Sequence, residues 1–409
     1  MSEWKKVKLG ECCEITSSKR CHASERSKEG IPFYCSKEII QLENGEEVRE
    51  SDYIPVELYE SIKHKYGAPK QGDLLLTTRG TNGIPYVYKD KDCFYFADGN
   101  LSWFKNFKTE LSVRFLYYWF KSYIGKHSVD SIAKGTAQKA VPIEGLRNLE
   151  IELPTYSTQC RIATILSRYD SLIENYQKQI KLVEESAHRL YKEWFIDLRF
   201  PEHENTKIVD GIPEGWKKKT IADVCTMISS GSTPSRSIKG YWDKGTIKWV
   251  KTKELLDGWI LDTEEYITQD GYNNSSTKLF PPNTILMAIY ASPTLGRLGI
   301  LSTECCCNQA ALGLIADENA ISWQWLFWKL YELRDEFNAI ARGAGQQNIS
   351  GIVVKNKEIV IPTRKIINWF TSVVSSMFEQ QKNLTTQICH LTEARDRLLP
   401  KLMSGEIEV

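Results

Sequence analysis

The second half of this 409-residue chain repeats its first half at a nearly constant offset. Residues 4–6, Trp-Lys-Lys, return as residues 216–218, which is 212 positions later (216 − 4). Residues 148–154, Asn-Leu-Glu-Ile-Glu-Leu-Pro, return at 356–362 as Asn-Lys-Glu-Ile-Val-Ile-Pro, 208 positions later (356 − 148). This period is far longer than the ~20–50 residues of a solenoid unit. The sequence therefore predicts a whole domain duplicated within one chain.

Composition and apolar patterning exclude several classes of protein. The amino terminus has no apolar stretch of the signal-peptide type, and no apolar run approaches the ~18 residues of a membrane-spanning helix. The eleven cysteines include no CxxC pair, and no histidine shows zinc-type spacing. Cysteines 305–307 are adjacent, so in a strand they would point to alternate faces as buried free thiols. We therefore expect a cytoplasmic protein with reduced thiols and no membrane contact.

Net charge limits the kind of polyanion binding that the chain can support. The formal charge is +1, with 53 basic and 52 acidic side chains. A protein this close to neutrality holds a polyanion only through local patches or with the help of other subunits.

Each copy is followed by a long segment with a heptad seam. In the first segment, apolar residues recur at alternating spacings of four and three: Tyr169, Ile173, Tyr176, Ile180, Val183, Ala187, Leu190 and Trp194. The positions 208 residues later are mostly apolar as well: Met377, Gln381, Leu384, Ile388, Leu391, Arg395, Leu398 and Leu402. Because both segments keep one register, we predict that the two helices pack on each other, against the alternative that each packs only on its own domain.

The predicted fold class is α+β, with two duplicated mixed α/β domains separated by two long helices. These helices would form an antiparallel coiled coil with a pseudo-twofold relation between the copies. The predicted boundaries are 1–154 for the first domain, 155–200 for the first helix, 201–215 for a Pro- and Gly-containing linker, 216–362 for the second domain, 363–403 for the second helix and 404–409 for the tail.

Neither copy carries a recognisable catalytic motif. Both lack a glycine-rich strand–helix fingerprint for a nucleotide or methyl donor, and both lack a GxxxxGK[ST] loop. Acidic residues are scattered, without the pairing that hydrolysis or metal binding requires. The prediction is a non-enzymatic chain with no catalytic, cofactor-binding or metal-ligating residue.

Several short motifs, taken in order, resemble those of one family. The run Leu153-Pro154-x4-Gln159-x2-Ile162-Ala163-x2-Leu166 opens the first helix, and Gly-x-x-Gln loops occur at 135–138 and 343–346. Segments 230–235, 308–310 and 397–407 add further matches. Together they resemble the specificity subunits of type I restriction–modification enzymes over essentially the whole chain.

The resemblance implies a DNA-recognition scaffold. Each copy would be a target recognition domain that reads one half of a bipartite double-stranded DNA target. The helices would set the gap between the halves and dock DNA methyltransferase (modification) subunits, which restriction/translocase subunits would join. The chain would bind no cofactor, because the methyl donor, ATP and Mg would lie on the partner subunits.

Candidate DNA contacts follow from residue type and position. Arg and Lys read guanine edges and Asn reads adenine, while Ser and Thr contact either base. The residues of these types in or beside turns are Lys37, Arg79, Asn82, Ser232, Thr233, Lys251, Lys253 and Arg297. In the glycine-rich loops, Gln138 and Gln346 are expected to hold backbone groups in place.

Two alternatives remain at this point. The chain could be a coiled-coil adaptor that organises partners without reading sequence, in which case it would bind random and specific DNA equally. It could also be the recognition subunit of a fused nuclease–methyltransferase system, in which case it would copurify with one large enzyme polypeptide.

Overall fold

A computed structural model describes residues 4–135, 139–290, 294–342 and 348–409. The chain divides into two compact units, the first made of residues 1–174 with 390–409 and the second of residues 175–389. Each unit therefore contains one copy of the repeat together with part of each long helix. This division runs through both helices, whereas the sequence placed domain boundaries at the helix ends.

The first copy is built from short strands and helices that lead into one long helix. In chain order they are β1 (Lys5–Lys8), α1 (Leu9–Cys12), β2 (Glu14–Thr16), β3 (Ile31–Tyr34), α2 (Ser36–Glu43), β4 (Asp52–Ile54), α3 (Val56–Tyr66), β5 (Leu74–Thr77), β6 (Pro85–Val87), β7 (Tyr95–Phe96), β8 (Leu101–Lys105), α4 (Val113–Lys121), α5 (Tyr123–Ile132), α6 (Ile143–Arg147), β9 (Glu150–Leu153) and α7 (Tyr156–Phe195).

The second copy follows a short hairpin and has the same kinds of elements. In chain order they are β10 (Ile208–Val209), β11 (Ile212–Pro213), β12 (Lys217–Thr220), β13 (Cys225–Ser230), β14 (Ile247–Val250), β15 (Gly258–Ile260), β16 (Glu265–Ile267), α8 (Gln269–Asn273), β17 (Ile285–Ala288), β18 (Leu298–Leu301), β19 (Cys306–Cys307), β20 (Ala311–Ala316), α9 (Trp323–Glu332), α10 (Arg334–Arg342), α11 (Gly351–Lys355), β21 (Glu358–Ile361) and α12 (Arg364–Met403).

The two copies share one sheet topology. The first contains the pair β1-β9, a four-stranded sheet in the order β2-β8-β5-β6 and a three-stranded sheet in the order β4-β3-β7. The second contains β12-β21, the order β13-β20-β17-β18 extended by β15, and the order β16-β14-β19. Even the register is kept, because Lys5 faces Leu153 as Lys217 faces Ile361. This confirms the predicted duplication and the α+β class.

A fully buried strand lies at the centre of each larger sheet. All residues of β5 and of β17 are buried, which is typical of strands covered on both faces. Beside β5, aromatic side chains of α4 such as Phe115 and Phe120 belong to the same core as Leu74 and Phe104. The aromatic-rich helix α4 is therefore part of the hydrophobic core of the first copy.

In the first unit, the beginning of α7 and the end of α12 pack antiparallel. Arg395 Nη1 donates to Asp170 Oδ1 at 2.6 Å, and Tyr118 also donates a hydrogen bond to this carboxylate, to Oδ2, at 2.6 Å. Farther along, Ile162 of α7 lies in the same buried cluster as Leu402 of α12. The polar residue at seam position 395 is thus explained by a carboxylate that faces it.

In the second unit, the end of α7 and the beginning of α12 also pack antiparallel. Gln381 Nε2 donates to Glu184 Oε1 at 2.6 Å. The rings of Phe195 and Phe370 lie 5.0 Å apart, and Phe370 is fully buried. Gln381, the second polar interruption of the seam, therefore also has a partner on the facing helix.

The residues proposed to pack the helices lie on covered faces of α7 and α12. Ile173 and Leu384 are buried, and the others are half-buried: Tyr169, Tyr176, Ile180, Val183, Leu190, Ile388, Leu391 and Leu398. A heptad pattern is expected to keep such positions away from solvent.

The first long helix ends at Phe195, five residues before the predicted end at 200. Leu198 has a φ of 58°, in the left-handed region, and Asp197 N–H donates to Lys192 O at 2.9 Å. A left-handed residue closes the helix because the carbonyl groups of the last turn find donors beyond it. The second helix spans 364–403 and continues through Pro400 near its end.

The three adjacent cysteines are free and buried, and they alternate between two clusters. Cys305 and Cys307 belong to one cluster and Cys306 to another. Burial raises the pKa of the Cys306 thiol to about 12, which keeps it protonated and unreactive. Within the described residues, no helix combines the length and apolar character needed to cross a bilayer.

Candidate nucleic-acid interface

Three segments of the first copy meet where β5 ends, and we call this region the first edge. It comprises the start of α2 (36–37), the turn between β5 and β6 (78–84), and the segments 134–135 and 139–141. Ser36 Oγ donates to Arg79 O at 3.1 Å, which ties α2 to the turn. Val141 N–H donates to Thr78 O at 2.9 Å, which ties the third segment to the end of β5.

The turn of the first edge is compact and strongly curved. Gly80 and Gly83 have φ values of 80° and 81°, which glycine adopts without steric cost. Asn82 Nδ2 donates to Lys139 O at 3.2 Å. Lys134 and Ala140 exchange two backbone hydrogen bonds of 2.9 Å. The side chain of Asn82 is half-buried and holds the edge together.

The first edge exposes four cationic side chains. Lys37, Arg79, Lys134 and Lys139 are all exposed. In the described part of the chain, none of them forms an ion pair with a carboxylate. A cluster of unpaired cations on one surface attracts a polyanion such as nucleic acid.

The second copy has an equivalent region, the second edge, made of residues 252–253, 289–290, 294–297 and 348–349. Ile349 N–H donates to Ile289 O at 2.9 Å, as Val141 does to Thr78. Glu254 accepts from the backbone N–H of Lys251 at 2.9 Å, as Glu38 accepts from Cys35 at 2.8 Å. These matched bonds align Lys253 with Lys37 and Tyr290 with Arg79.

The lysines of the second copy are neutralised by carboxylates. Lys253 Nζ lies 2.6 Å from Glu264 Oε2. Lys251 Nζ lies 2.7 Å from Glu265 and 3.3 Å from Glu264. The hydrogen bond to Glu265 raises the pKa of Lys251, and the hydrogen bond from Lys253 lowers the pKa of Glu264. Both shifts express the mutual stabilisation of opposite charges.

Strand pairing explains why only the second copy has this compensation. Asp52 faces Phe33 across β4 and β3, as Glu265 faces Trp249 across β16 and β14. The residues that precede Asp52 and Glu265 are therefore equivalent to each other. They are Ser51 in the first copy and Glu264 in the second. Lys253 is therefore paired because Glu264 lies beside it, and Lys37 is unpaired because the equivalent residue is Ser51.

An arginine stacked on the strand aromatic occurs in both copies. Arg26 lies 5.3 Å from the Phe33 ring centre, and Arg236 lies 5.0 Å from that of Trp249. Arg236 also lies 2.6 Å from Glu265. These arginines are held in the scaffold by the stacking and by the neighbouring carboxylate.

Of the remaining candidates in the second copy, Arg297 lies in the turn that forms the second edge. It is half-buried directly before β18. The turn is supported by Arg334, whose Nε donates to Gly296 O at 2.8 Å and whose Nη1 donates to Asp257 Oδ2 at 3.0 Å. Asp257 also accepts from Leu298 N–H at 2.9 Å.

The hydroxyl candidates already have partners within the second copy. Ser232 Oγ accepts from Ser276 Oγ at 3.0 Å, and Thr233 Oγ1 donates to Gln309 Oε1 at 2.5 Å. Both residues are half-buried. Gln138 and Gln346, expected to hold backbone groups in the glycine-rich loops, lie outside the described residues.

The structure brings together Lys37, Arg79 and Asn82, and it adds residues that the sequence did not single out. Lys134 and Lys139 flank the first glycine-rich loop, so their position beside that loop was the signal that could have identified them. Tyr290, 40% exposed at the second edge, gave no such signal because it ends an apolar run.

Comparison with known proteins places both copies in one family model. The model for the type I restriction modification DNA specificity domain matches residues 1–185 and again residues 213–388. The two matches together cover most of the chain and leave residues 186–212 between them.

Two relatives and one solved structure are similar over most of their length. The type I restriction enzyme MjaIX specificity subunit of Methanocaldococcus jannaschii is 30% identical over 349 residues, 83% of this chain and 78% of the relative. The HindI specificity subunit of Haemophilus influenzae is 24% identical, over 65% of this chain and 71% of the relative. The crystal structure of an S subunit from M. genitalium has the same fold, with a TM-score of 0.60 at 16% identity, covering 98% of this chain and 96% of that one.

Proposed function

The chain belongs to the type I restriction modification DNA specificity family, and we propose that each of its copies reads one half of a bipartite double-stranded DNA target. It is a non-catalytic recognition subunit. Its role is to select the sequence on which partner subunits act.

The observation that carries this proposal is the repetition of one edge with different side chains. Both edges are built by equivalent backbone hydrogen bonds, Val141 to Thr78 and Ile349 to Ile289. At equivalent positions, however, they present Arg79 and Tyr290. Two similar scaffolds with different surface residues suit two half-sites of different sequence.

We further propose the partners and the location of the cofactors. DNA methyltransferase subunits would dock on α7 and α12, and restriction/translocase subunits would join that assembly. The methyl donor, ATP and Mg would be bound by these subunits, since neither copy has a motif for them. We also propose a cytoplasmic location, which fits a protein whose target is cellular DNA.

The two long helices would set the gap between the half-sites. Glu184 follows Asp170 by 14 residues, and Arg395 follows Gln381 by the same number (184 − 170 and 395 − 381). Insertion in one helix alone would move one of these polar pairs out of register. Matched insertions in both helices keep the two pairs and lengthen the helices together.

Methylation mapping in cells that carry the chain and its methyltransferase subunits should show a bipartite motif with a fixed gap.

Four residues inserted after Lys178 and four after Gln387 add ~6 Å to each helix. At ~3.4 Å per base pair, the gap should grow by one or two base pairs, with unchanged half-site sequences. Binding should weaken, because each added base pair rotates one half-site relative to the other.

The control is the same insertion in α7 alone, which should reduce methylation without a defined new gap. An active double-insertion variant with the original gap would refute the proposed role of the helices. Equal binding to random duplexes, with no methylated motif, would favour a coiled-coil adaptor instead. Copurification with one large polypeptide would favour a fused nuclease–methyltransferase system.

A further inference from the structure

We propose that the two edges bind DNA by different physical means. The first edge binds the phosphodiester backbone through ionic contacts, and the second edge binds with a much smaller ionic contribution. This inference rests on the proposed function, because it concerns the same two surfaces. It assigns most of the salt dependence of DNA binding to one half of the target.

The first edge has the geometry of a phosphate-binding surface. Its four cations come from three segments that are hydrogen-bonded to one another, so they are held close together. Two of these bonds are accepted by the backbone carbonyl oxygens of Arg79 and Lys139. The side chains of these two residues therefore take no part in the bonds that hold the segments together. Exposed cations without internal carboxylate partners release condensed counterions when they meet phosphates.

Among the described residues, the second edge keeps the scaffold but has fewer exposed, unpaired cations. Tyr290 stands in place of Arg79, and the sequence has Gln347 where the first copy has Lys139. Lys253, the equivalent of Lys37, lies 2.6 Å from Glu264. Of the four cationic positions, the second copy keeps Lys253, which is paired, and Arg342, the equivalent of Lys134. Arg297, in the turn of the second edge, is a further cation, and its side chain is half-buried.

A paired lysine gains little from a phosphate. Binding a phosphate would require Lys253 to leave Glu264, or would place that carboxylate beside the DNA. The exposed ring of Tyr290 instead offers apolar contact and a hydroxyl group. Contacts of this kind contribute affinity that depends only weakly on salt.

The salt dependence of binding measures the difference directly. The logarithm of the binding constant falls with the logarithm of salt concentration by about 0.9 per neutralised phosphate on duplex DNA. Replacing Arg79→Gln together with Lys139→Gln in the full chain, assembled with its methyltransferase subunits, should reduce this slope by about 2. The measurement is equilibrium binding to one duplex over a series of KCl concentrations.

A matched control removes the same charge elsewhere on the first copy. Lys89 and Lys91 are exposed and follow β6, at the end of that strand that lies away from the turn at 78–84. The control replaces both lysines by glutamine. This pair should leave the slope unchanged. If both double variants give the same slope, the first edge is not the ionic surface and the inference is wrong.

A gain of salt dependence tests the second edge. Glu264→Ser introduces the residue that the first copy carries at this position and frees Lys253 from its carboxylate. The backbone N–H of residue 264, which donates to Glu254 at 3.2 Å, is unaffected. The slope should become steeper by about 1. An unchanged slope would show that charge pairing does not limit this edge.

Methylation mapping of the same variants separates this inference from the proposed function. If the wild-type assembly methylates no bipartite motif, the proposed function fails, while the slopes on a random duplex still test the ionic surface. If the motif is present and the Arg79/Lys139 variant keeps the wild-type slope, only the inference fails.

Discussion

Replacing Phe370 by alanine is expected to lower the free energy of unfolding of the second unit by about 3–5 kcal/mol. The Phe370 ring is fully buried, and its centre lies 5.0 Å from that of Phe195 and 6.0 Å from those of Tyr191 and Trp194. Its loss would leave a cavity where the two long helices meet in this unit, so both the burial and the aromatic contacts would be lost.

Urea denaturation followed by tryptophan fluorescence measures this effect. Nine of the twelve tryptophans lie between residues 194 and 369, within the second unit, so the signal reports mainly on that unit. Val373→Ala is the control, because Val373 lies on the same helix but is 43% exposed. The control should change stability by less than about 0.5 kcal/mol. Equal effects of the two substitutions would contradict the assigned packing.

Replacing Glu184 by glutamine is expected to stabilise the second unit at pH 8 and to have no effect near pH 4.5. Burial raises the pKa of Glu184 from 4.5 to about 7, beside a small cavity lined by Phe327, Trp328 and Phe378. The unfolded carboxyl therefore loses its proton at lower pH than the folded one. The resulting destabilisation is absent below pH 4.5, grows as the pH rises to about 7, and is constant above it.

The expected gain at pH 8 is at most about 3.5 kcal/mol, since the two pKa values differ by 2.5 (7 − 4.5) and one pKa unit corresponds to about 1.4 kcal/mol. A glutamine at 184 can still accept the hydrogen bond that Gln381 donates at 2.6 Å, so the contact between the helices is kept. Glu193→Gln is the matched control, because Glu193 is exposed on the same helix and does not contribute to the raised pKa of Glu184. A pH-independent difference between Glu184→Gln and the wild type would show that the carboxyl does not titrate in this range.

Periodicity predicted the long helices, but it could not identify the partners of their polar residues. Apolar residues that recur at helical spacing lie on one face of the helix, so the spacing predicts which face is covered. Gln381 and Arg395 interrupt the seam, and the sequence alone gave no reason for them. Their reasons are Glu184 and Asp170, which lie close only after the helices pack. Such pairs depend on tertiary structure and leave no local pattern.

The candidate DNA contacts were predictable by residue type and turn position, but their charge state was not. Lys37 and Lys253 occupy equivalent positions in the two copies, and the sequence ranked them alike. Glu264 comes from the neighbouring strand region and pairs with Lys253, while Ser51 stands in its place in the first copy. The ion pair between Lys253 and Glu264, 11 residues later in the chain (264 − 253), therefore decides which lysine is free.

We propose that the two copies read separate halves of one DNA target. Independent reading by the two copies is tested most directly by exchanging residues 1–154 for the equivalent part of a related specificity subunit. The donor should keep apolar residues at the positions of Val7, Ile151 and Leu153, because these side chains share a buried cluster with α7 and α12. The hybrid then retains its helices and the whole of the second copy.

Methylome sequencing of cells that carry the hybrid provides the measurement. We predict that one half of the methylated motif changes to that of the donor, while the other half and the gap between them stay the same. Simultaneous changes in both halves, or an unchanged motif in a folded and active hybrid, would contradict independent reading by the two copies.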